Sequence, residues 1–67
     1  MIKLNNRAKT TILAQALLNN APVKLEICGH WDNYFCKVQH VDNLSVLVEY
    51  HNYTDLVEFS DLTNIIS

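Results

Sequence analysis

The spacing of the apolar residues changes abruptly at Pro22, and this change divides the chain into two structural parts. After Pro22 the apolar residues alternate with polar ones, which is the period of a strand with one buried face. Before Pro22 they recur every three or four residues, which is the period of one helix face: Ala8, Ile12, Leu13, Ala16 and Leu17. The sequence therefore predicts a helix followed by a sheet.

Asparagine and proline set the expected limits of the helix. Asn5 or Asn6 can cap its start, because an asparagine side chain accepts hydrogen bonds from the first turn. Asn19 and Asn20 followed by Pro22 end it, since the backbone before a proline is pushed out of helical geometry. We expect a helix over about residues 6–19. A helix this short is marginal alone, so we expect Leu13 and Leu17 to pack over one open end of the sheet.

Five short antiparallel strands are expected after Pro22, with turns between them. One helix followed by such strands is the outline of a mainly β protein, a strongly bent SH3-type barrel. A chain of 67 residues has room for one domain, so we expect the helix and a barrel over about residues 22–67 to form it. The residues expected to fill its core are Leu25, Ile27, Val38, Val46 and Val48.

Length and composition limit the classes of function. A chain this short cannot easily surround a substrate, which favours a binding or assembly module over an enzyme. Its uninterrupted apolar stretches are only a few residues long, so we expect no membrane span. The first residues lack the apolar segment and cleavage site of a secretion signal, which predicts a cytoplasmic protein with two reduced cysteines.

Two sets of polar residues could be assigned a chemical role. Cys28, His30, Cys36 and His40 could supply a tetrahedral zinc site, but their spacing matches no finger or ribbon pattern. Cys36 with His40 or His51 and an aspartate could be written as a catalytic triad, but no glycine-rich loop or nucleophile turn accompanies them. We therefore expect packed thiols and solvated histidines, with no catalytic residue, no metal and no cofactor.

The charges are distributed unevenly along the chain. Residues 1–25 carry four basic side chains and no acid, a charge of +4. Residues 26–67 carry one lysine and seven acids, a charge of 1 − 7 = −6. Such a basic first third could contact nucleic acid or pair head to tail with another copy, or its charges could simply be solvated.

The order of the expected elements resembles the Sm-like family, and within it the Hfq branch of bacterial RNA chaperones. The resemblance runs from Ile12 to Ser67 and includes the Pro22-Val23 opening of the first strand and Asp42 at the end of the second. It implies a non-catalytic riboregulator that binds RNA as a homo-oligomeric ring. In such a ring the fourth strand of one subunit pairs with the fifth of the next, which closes both sheet edges. The expected interface residues are Leu56, Val57, Phe59, Ile65 and Ile66.

The residues expected to contact RNA are basic or aromatic. The stretch Glu58-Phe59-Ser60 corresponds to the uridine-binding motif of the Hfq branch and contains no cation. We therefore expect phosphate contacts from the basic first third and base stacking by aromatic residues in turns. Tyr34 and Tyr50 are expected to point inward and complete the core. The expected RNA contacts are Arg7, Lys9, Lys24, Trp31 and Tyr53.

Two other resemblances support an alternative function. Rof, a small Sm-like inhibitor of the transcription terminator Rho, is similarly acidic and begins with a helix. The Tudor family of SH3-like barrels has a comparable spacing of aromatic residues, which cage methylated lysine or arginine through cation–π contact. Both imply a small inhibitor or adaptor, of cellular or phage origin, that acts on a larger host protein machine.

Overall fold

The computed structural model describes residues 4–67, which form one helix and a curled antiparallel sheet. The sheet closes only part of a circle, so the fold is a half-barrel and mainly β, as the sequence predicts. The elements, in chain order, are α1 (Asn6–Asn19), β1 (Pro22–Ile27), β2 (His30–Trp31), β3 (Cys36–Val41), β4 (Ser45–Glu49), β5 (Thr54–Glu58) and β6 (Leu62–Ile66).

Asparagine caps both ends of α1, and the predicted limits of this helix are confirmed. At the start, the Asn5 side-chain oxygen accepts a hydrogen bond of 2.8 Å from the Ala8 N–H. At the end, Asn20 adopts the left-handed conformation with φ of 54°. The next N–H, of Ala21, then bonds back to the Ala16 carbonyl at 2.9 Å. Asparagine here takes the position that glycine most often occupies at a helix C-terminus.

The hairpin that follows β1 is tighter than the sequence suggests. His30 and Trp31, which follow the apolar alternation of the first strand, form the short strand β2 and pair with Ile27 and Glu26. The turn consists of Cys28 and Gly29, with φ values of 53° and 82°. Two consecutive positive φ values give a two-residue turn whose twist matches that of the flanking strands.

Two β-bulges bend the sheet. Gln39 has no partner between the pairs Val38–Val48 and His40–Leu47, so β3 carries one extra residue relative to β4. Thr63 is likewise unpaired on β6 opposite β1. An extra residue on one strand increases the local bend and twist, which produces the curvature of the half-barrel.

The curled sheet ends in two edge strands. β1 pairs with β6 on one side and with β2 and then β3 on the other. β4 lies between β3 and β5. Within residues 4–67, β5 and β6 therefore each have a strand neighbour on one side only.

The core lies inside the curl of the sheet, beneath α1. Of the five residues expected in it, Ile27 is half-buried and the other four are buried. Leu13 covers this core, but Leu17 is 41% exposed, so the prediction that both leucines pack on the sheet is wrong for Leu17. The buried apolar residues are Leu13, Ala16, Val23, Leu25, Cys36, Val38, Val46, Val48, Tyr50, Val57, Phe59 and Leu62.

Lys9 is buried on the inner face of α1, with only 5% of its surface exposed. Its ammonium donates a hydrogen bond of 2.5 Å to the Phe59 carbonyl and lies 5.9 Å from the centre of the Phe59 ring. This charge-assisted bond joins the helix to the turn between β5 and β6. Lys9 is therefore corrected from an expected phosphate contact to a residue that holds the helix in place.

Candidate functional site

Two loops at the same end of the sheet carry aromatic side chains that line a cleft. One loop, residues 32–35, leads into β3, and the other, residues 50–53, joins β4 to β5. They meet because the start of β3 pairs with the end of β4, through Lys37 and Glu49. We call this depression of about 630 Å³ the aromatic cleft, and its lining residues are Tyr34, Phe35, Tyr50, His51, Asn52 and Tyr53.

Three of the four aromatic rings in the cleft are open to solvent. Tyr34, Tyr53 and Phe35 are 76%, 60% and 51% exposed. Tyr50 is buried, and its ring stacks on that of Tyr53 with 5.0 Å between the ring centres and 25° between the planes. A cluster of exposed aromatic faces on a small protein is typical of a binding surface, because leaving such apolar area in water is unfavourable.

A hydrogen bond joins the two loops of the cleft. The Tyr50 hydroxyl donates to the Asp32 carboxylate, so the loop that carries Tyr34 and Phe35 is tied to the loop that carries Tyr53. Burial raises the pKa of the Tyr50 hydroxyl, and the bond to Asp32 raises it further. The hydroxyl therefore stays protonated at neutral pH and remains a donor.

Cys36 lies close to Tyr50 and Asp32. Burial raises the pKa of its thiol to about 11, and the nearby negative charge of Asp32 raises it as well, although a hydrogen bond with Tyr50 acts in the opposite direction. A thiol with a raised pKa is mostly protonated at neutral pH and is a poor nucleophile. The geometry gives Cys36 a packing role.

Two lysines lie beside the cleft on the outer face of the sheet. The ammonium of Lys24 is 5.8 Å from the centre of the Phe35 ring. Lys37, two residues beyond Phe35, lines a shallow depression next to the cleft together with Phe35 and Tyr50. The carboxylate of Glu49, across from Lys37, accepts a hydrogen bond of 2.8 Å from Gln39. Positive charge and exposed rings thus occupy the same surface.

The structure brings together only two of the five expected RNA contacts, Lys24 and Tyr53. Arg7 is exposed but lies beside the loop between β3 and β4, at the opposite end of the sheet. The five residues of β4 separate the two ends by roughly 16 Å at about 3.3 Å per residue. Trp31 is exposed on β2 opposite Glu26 and does not line the cleft.

Two residues of this site, Phe35 and Asp32, were not among the expected contacts, and Tyr34 lies elsewhere than predicted. Phe35 and Lys37 are two residues apart and line the same depression, and this spacing could have identified Phe35 beside the lysine. Tyr34 was expected inward, but it lies before the first residue of β3, where strand alternation does not apply. Nothing in the sequence pattern indicates that Asp32 contacts Tyr50, because 18 residues separate them.

The expected interface residues fall into two groups. Leu56 and Ile66 are exposed and Ile65 is half-buried, so their side chains can reach a neighbouring chain. The side chains of Val57 and Phe59 fill the core of the single chain. These two residues could therefore contribute only backbone groups to an interface.

The residues weighed for zinc and for catalysis do not converge. No three histidine, cysteine, aspartate or glutamate side chains within residues 4–67 lie close enough together to hold a metal ion. Cys28 is exposed in its turn and Cys36 is buried. His40 has Asp42 as a neighbour, with 3.4 Å between Nε2 and Oδ1, and both side chains are exposed.

The helix formed by the described residues is not long and apolar enough to cross a membrane. Lys3, which contributes to the basic first third, lies outside the described residues. Comparison of the chain with known proteins found no matching family model, no matching curated protein and no matching solved structure.

Proposed function

We propose that this protein is a non-catalytic RNA-binding regulator that works as a homo-oligomeric ring. The observation that supports RNA binding is the aromatic cleft beside Lys24 and Lys37. Single-stranded RNA presents unpaired bases that stack on exposed aromatic rings, while its phosphates attract ammonium groups. The exposed rings and the two lysines offer both kinds of contact on one surface.

The two edge strands support assembly into a ring. Pairing β5 of one copy with β6 of the next would give each edge the neighbour it lacks within residues 4–67. The same contact repeated around an axis gives a closed ring when the rotation between neighbouring copies divides a full turn, as in the rings of the Sm-like family that the sequence resembles. The exposed apolar side chains of Leu56 and Ile66 lie on these two strands.

Assembly also compensates for the small number of cations. The chain has a net charge of −2, so most of its surface does not attract RNA. A few phosphate contacts per subunit give weak binding, but several subunits that engage one strand raise the effective concentration of each contact. A ring would therefore bind RNA much more tightly than one subunit.

Two measurements on the full chain test this proposal. Light scattering at micromolar concentration should give a mass several times the 7.7 kDa of one chain. Fluorescence anisotropy with a labelled RNA of about 12 nucleotides should show binding of the single strand, weaker binding of the same sequence as a duplex, and loss of affinity between about 50 and about 200 mM salt. Absence of binding at about 50 mM salt would overturn the RNA function.

A second candidate is a protein-binding adaptor that recognises a methylated side chain. The observation that favours it is the position of Lys24, whose ammonium already lies near the face of an aromatic ring of the cleft. Methylated ammonium groups bind aromatic clusters through the same cation–π attraction. Titration with a trimethyl-lysine peptide and its unmethylated form separates the candidates, because only the adaptor should prefer the methylated peptide.

A further inference from the structure

We propose that the aromatic cleft is a clamp for an unpaired nucleobase, that Lys24 and Lys37 contact its phosphates, and that Asp32 is the residue that positions the clamp. This inference rests on the proposed RNA-binding function and assigns it to one end of the sheet. It also moves the expected base contact away from Trp31, which lies outside the cleft.

Tyr53 and Tyr34 supply the faces on which a base can stack. Tyr53 rests on the buried ring of Tyr50 and is still 60% exposed, so most of its surface is open to a ligand. Tyr34 belongs to the other loop and is the most exposed ring of the cleft. Because the ring of Tyr53 is already held by the stack, less side-chain entropy is lost when a base binds to it.

The charges around the cleft fit a nucleotide. The lining residues include no carboxylate, and the two that are not aromatic, His51 and Asn52, carry groups that can hydrogen-bond to the edge of a base. Lys24 and Phe35 face the same side of the sheet, with the ammonium 5.8 Å from the ring centre. A base stacked in the cleft would therefore place its phosphates next to Lys24 and Lys37.

The ligand must be unpaired, because a base within a duplex is covered on both faces by its neighbours. A cleft formed by two loops cannot hold a helix of paired strands, but it can hold a base that has rotated out of a stack. Stacking on an aromatic ring accepts any base, since every base has a π face. The clamp should therefore prefer single strands over duplexes much more strongly than one base over another.

Asp32 positions the clamp through Tyr50. The hydrogen bond from the Tyr50 hydroxyl to the Asp32 carboxylate is a direct side-chain link between the two loops. Asp32 is also anchored, since its N–H donates to the Leu25 carbonyl at 2.8 Å. Without this link the loops would have more conformations to lose on binding, which lowers affinity without removing any ligand contact.

The stacking residue is tested with the full chain and a labelled single-stranded RNA of about 12 nucleotides. Tyr53→Ala should weaken binding by about tenfold, the equivalent of about 1.4 kcal/mol. Tyr53→Phe should bind like the wild type, because it keeps the ring. Trp31→Ala, the aromatic control outside the cleft, should also bind like the wild type. Light scattering and circular dichroism on each variant confirm that mass and fold are unchanged.

The lysines and Asp32 are tested in the same assay. Lys24→Ala and Lys37→Ala should weaken binding and reduce its salt dependence, whereas Arg7→Ala should change neither. Asp32→Ala should weaken binding, and Asp32→Asn, which keeps an oxygen acceptor for the Tyr50 hydroxyl, should restore it. Because they break the same bond, Asp32→Ala and Tyr50→Phe should not be additive in the double variant.

The two hypotheses fail in different ways. If the wild type binds the RNA but Tyr53→Ala and Tyr34→Ala bind it equally well, the clamp is wrong and the proposed function stands. If loss of Trp31 weakens binding and loss of Tyr53 does not, the base contact lies on β2. If the wild type binds no RNA at about 50 mM salt, the clamp and the proposed function are both overturned.

Discussion

At the scale of single residues, Tyr50 connects the core to the candidate site. Its ring is among the buried core residues, its hydroxyl bonds to Asp32, and its outer face supports Tyr53. The cleft therefore rests on the core and not on mobile surface groups. A rigid support keeps the exposed rings in position for a ligand.

The protein should lose stability at alkaline pH because of Tyr50 and Cys36. Both groups have a pKa that is raised in the folded state, Cys36 from 9.0 to about 11. Their contribution to stability is fully present below the ordinary pKa of each group, where the group is protonated in both the folded and the unfolded chain. It is lost as the pH rises, because the unfolded chain then releases protons that the folded chain retains. Urea unfolding between about pH 8 and pH 11 should show a falling free energy of unfolding.

The two cysteines provide a matched control for this prediction. Cys36→Ala should flatten the alkaline decrease, because it removes a group with a raised pKa, although it also lowers stability at every pH by leaving a small cavity. Cys28→Ser should keep the wild-type pH profile, since Cys28 is exposed in the hairpin turn. Identical pH profiles for the wild type and Cys36→Ala would show that the thiol does not contribute.

At the scale of secondary structure, α1 is held to the sheet by one side of its surface. Leu13, Ala16 and the buried ammonium of Lys9 face the sheet and the turn before β6. Leu17 and Leu18 face solvent and are 41% and 80% exposed. The helix therefore carries similar leucines in different environments, which makes their contributions separable.

Truncation of Leu13 and of Leu17 should have different effects. Leu13 is 0% exposed, so Leu13→Ala should lower the free energy of unfolding by about 2–5 kcal/mol, through lost apolar burial and a cavity. Leu17→Ala should change it by less than about 1 kcal/mol, because much of that side chain is already in water. Urea denaturation measures both. Equal losses for the two variants would mean that Leu17 is buried in solution, for example in an assembly.

At the scale of the whole molecule, the half-barrel is small and has two edges. Its core comes from a chain of only 67 residues, which is near the lower limit for a stable single domain. Exposed strand edges also favour pairing with other chains. Ordered pairing of β5 with β6 of another copy would remove both edges and extend the core, and the proposed ring would be more stable than its subunits.

Ile65→Pro should dissociate the ring. Proline cannot donate a backbone hydrogen bond, and at Ile65 the N–H at present donates to the Asn64 side chain at 2.9 Å on an edge strand. Light scattering should show the mass falling toward 7.7 kDa. Ile65→Val keeps the N–H and the apolar character, so it should keep the mass of the assembly.

A wild-type mass of 7.7 kDa at micromolar concentration would contradict the ring directly. An assembly that keeps its mass in Ile65→Pro would show that the subunits associate through another surface. The exposed leucines of α1 would then be the next surface to test.

Local features of the fold could be predicted from the sequence because they depend on near neighbours. The limits of α1 follow from the asparagines at its two ends, from Pro22 and from the residues between them. The alternation along β4 likewise predicts that Val46 and Val48 are buried. A period of two or of three to four residues is a short-range property, so the sequence alone determines it.

The convergence of residues on a site was decided by the tertiary structure. Lys9 was expected at the surface, yet the half-barrel buries it against Phe59, 50 positions away. Arg7 and Tyr53 were both expected to contact RNA, yet they lie at opposite ends of β4. The sheet's curvature depends on bulges at Gln39 and Thr63, where the next residue that packs toward the core comes three positions on instead of two. The sequence by itself therefore determined which segments form helix or strand and which strand faces are apolar. The curl of the sheet decided which loops meet, because the position of each loop depends on the bends of all the strands that lie between them.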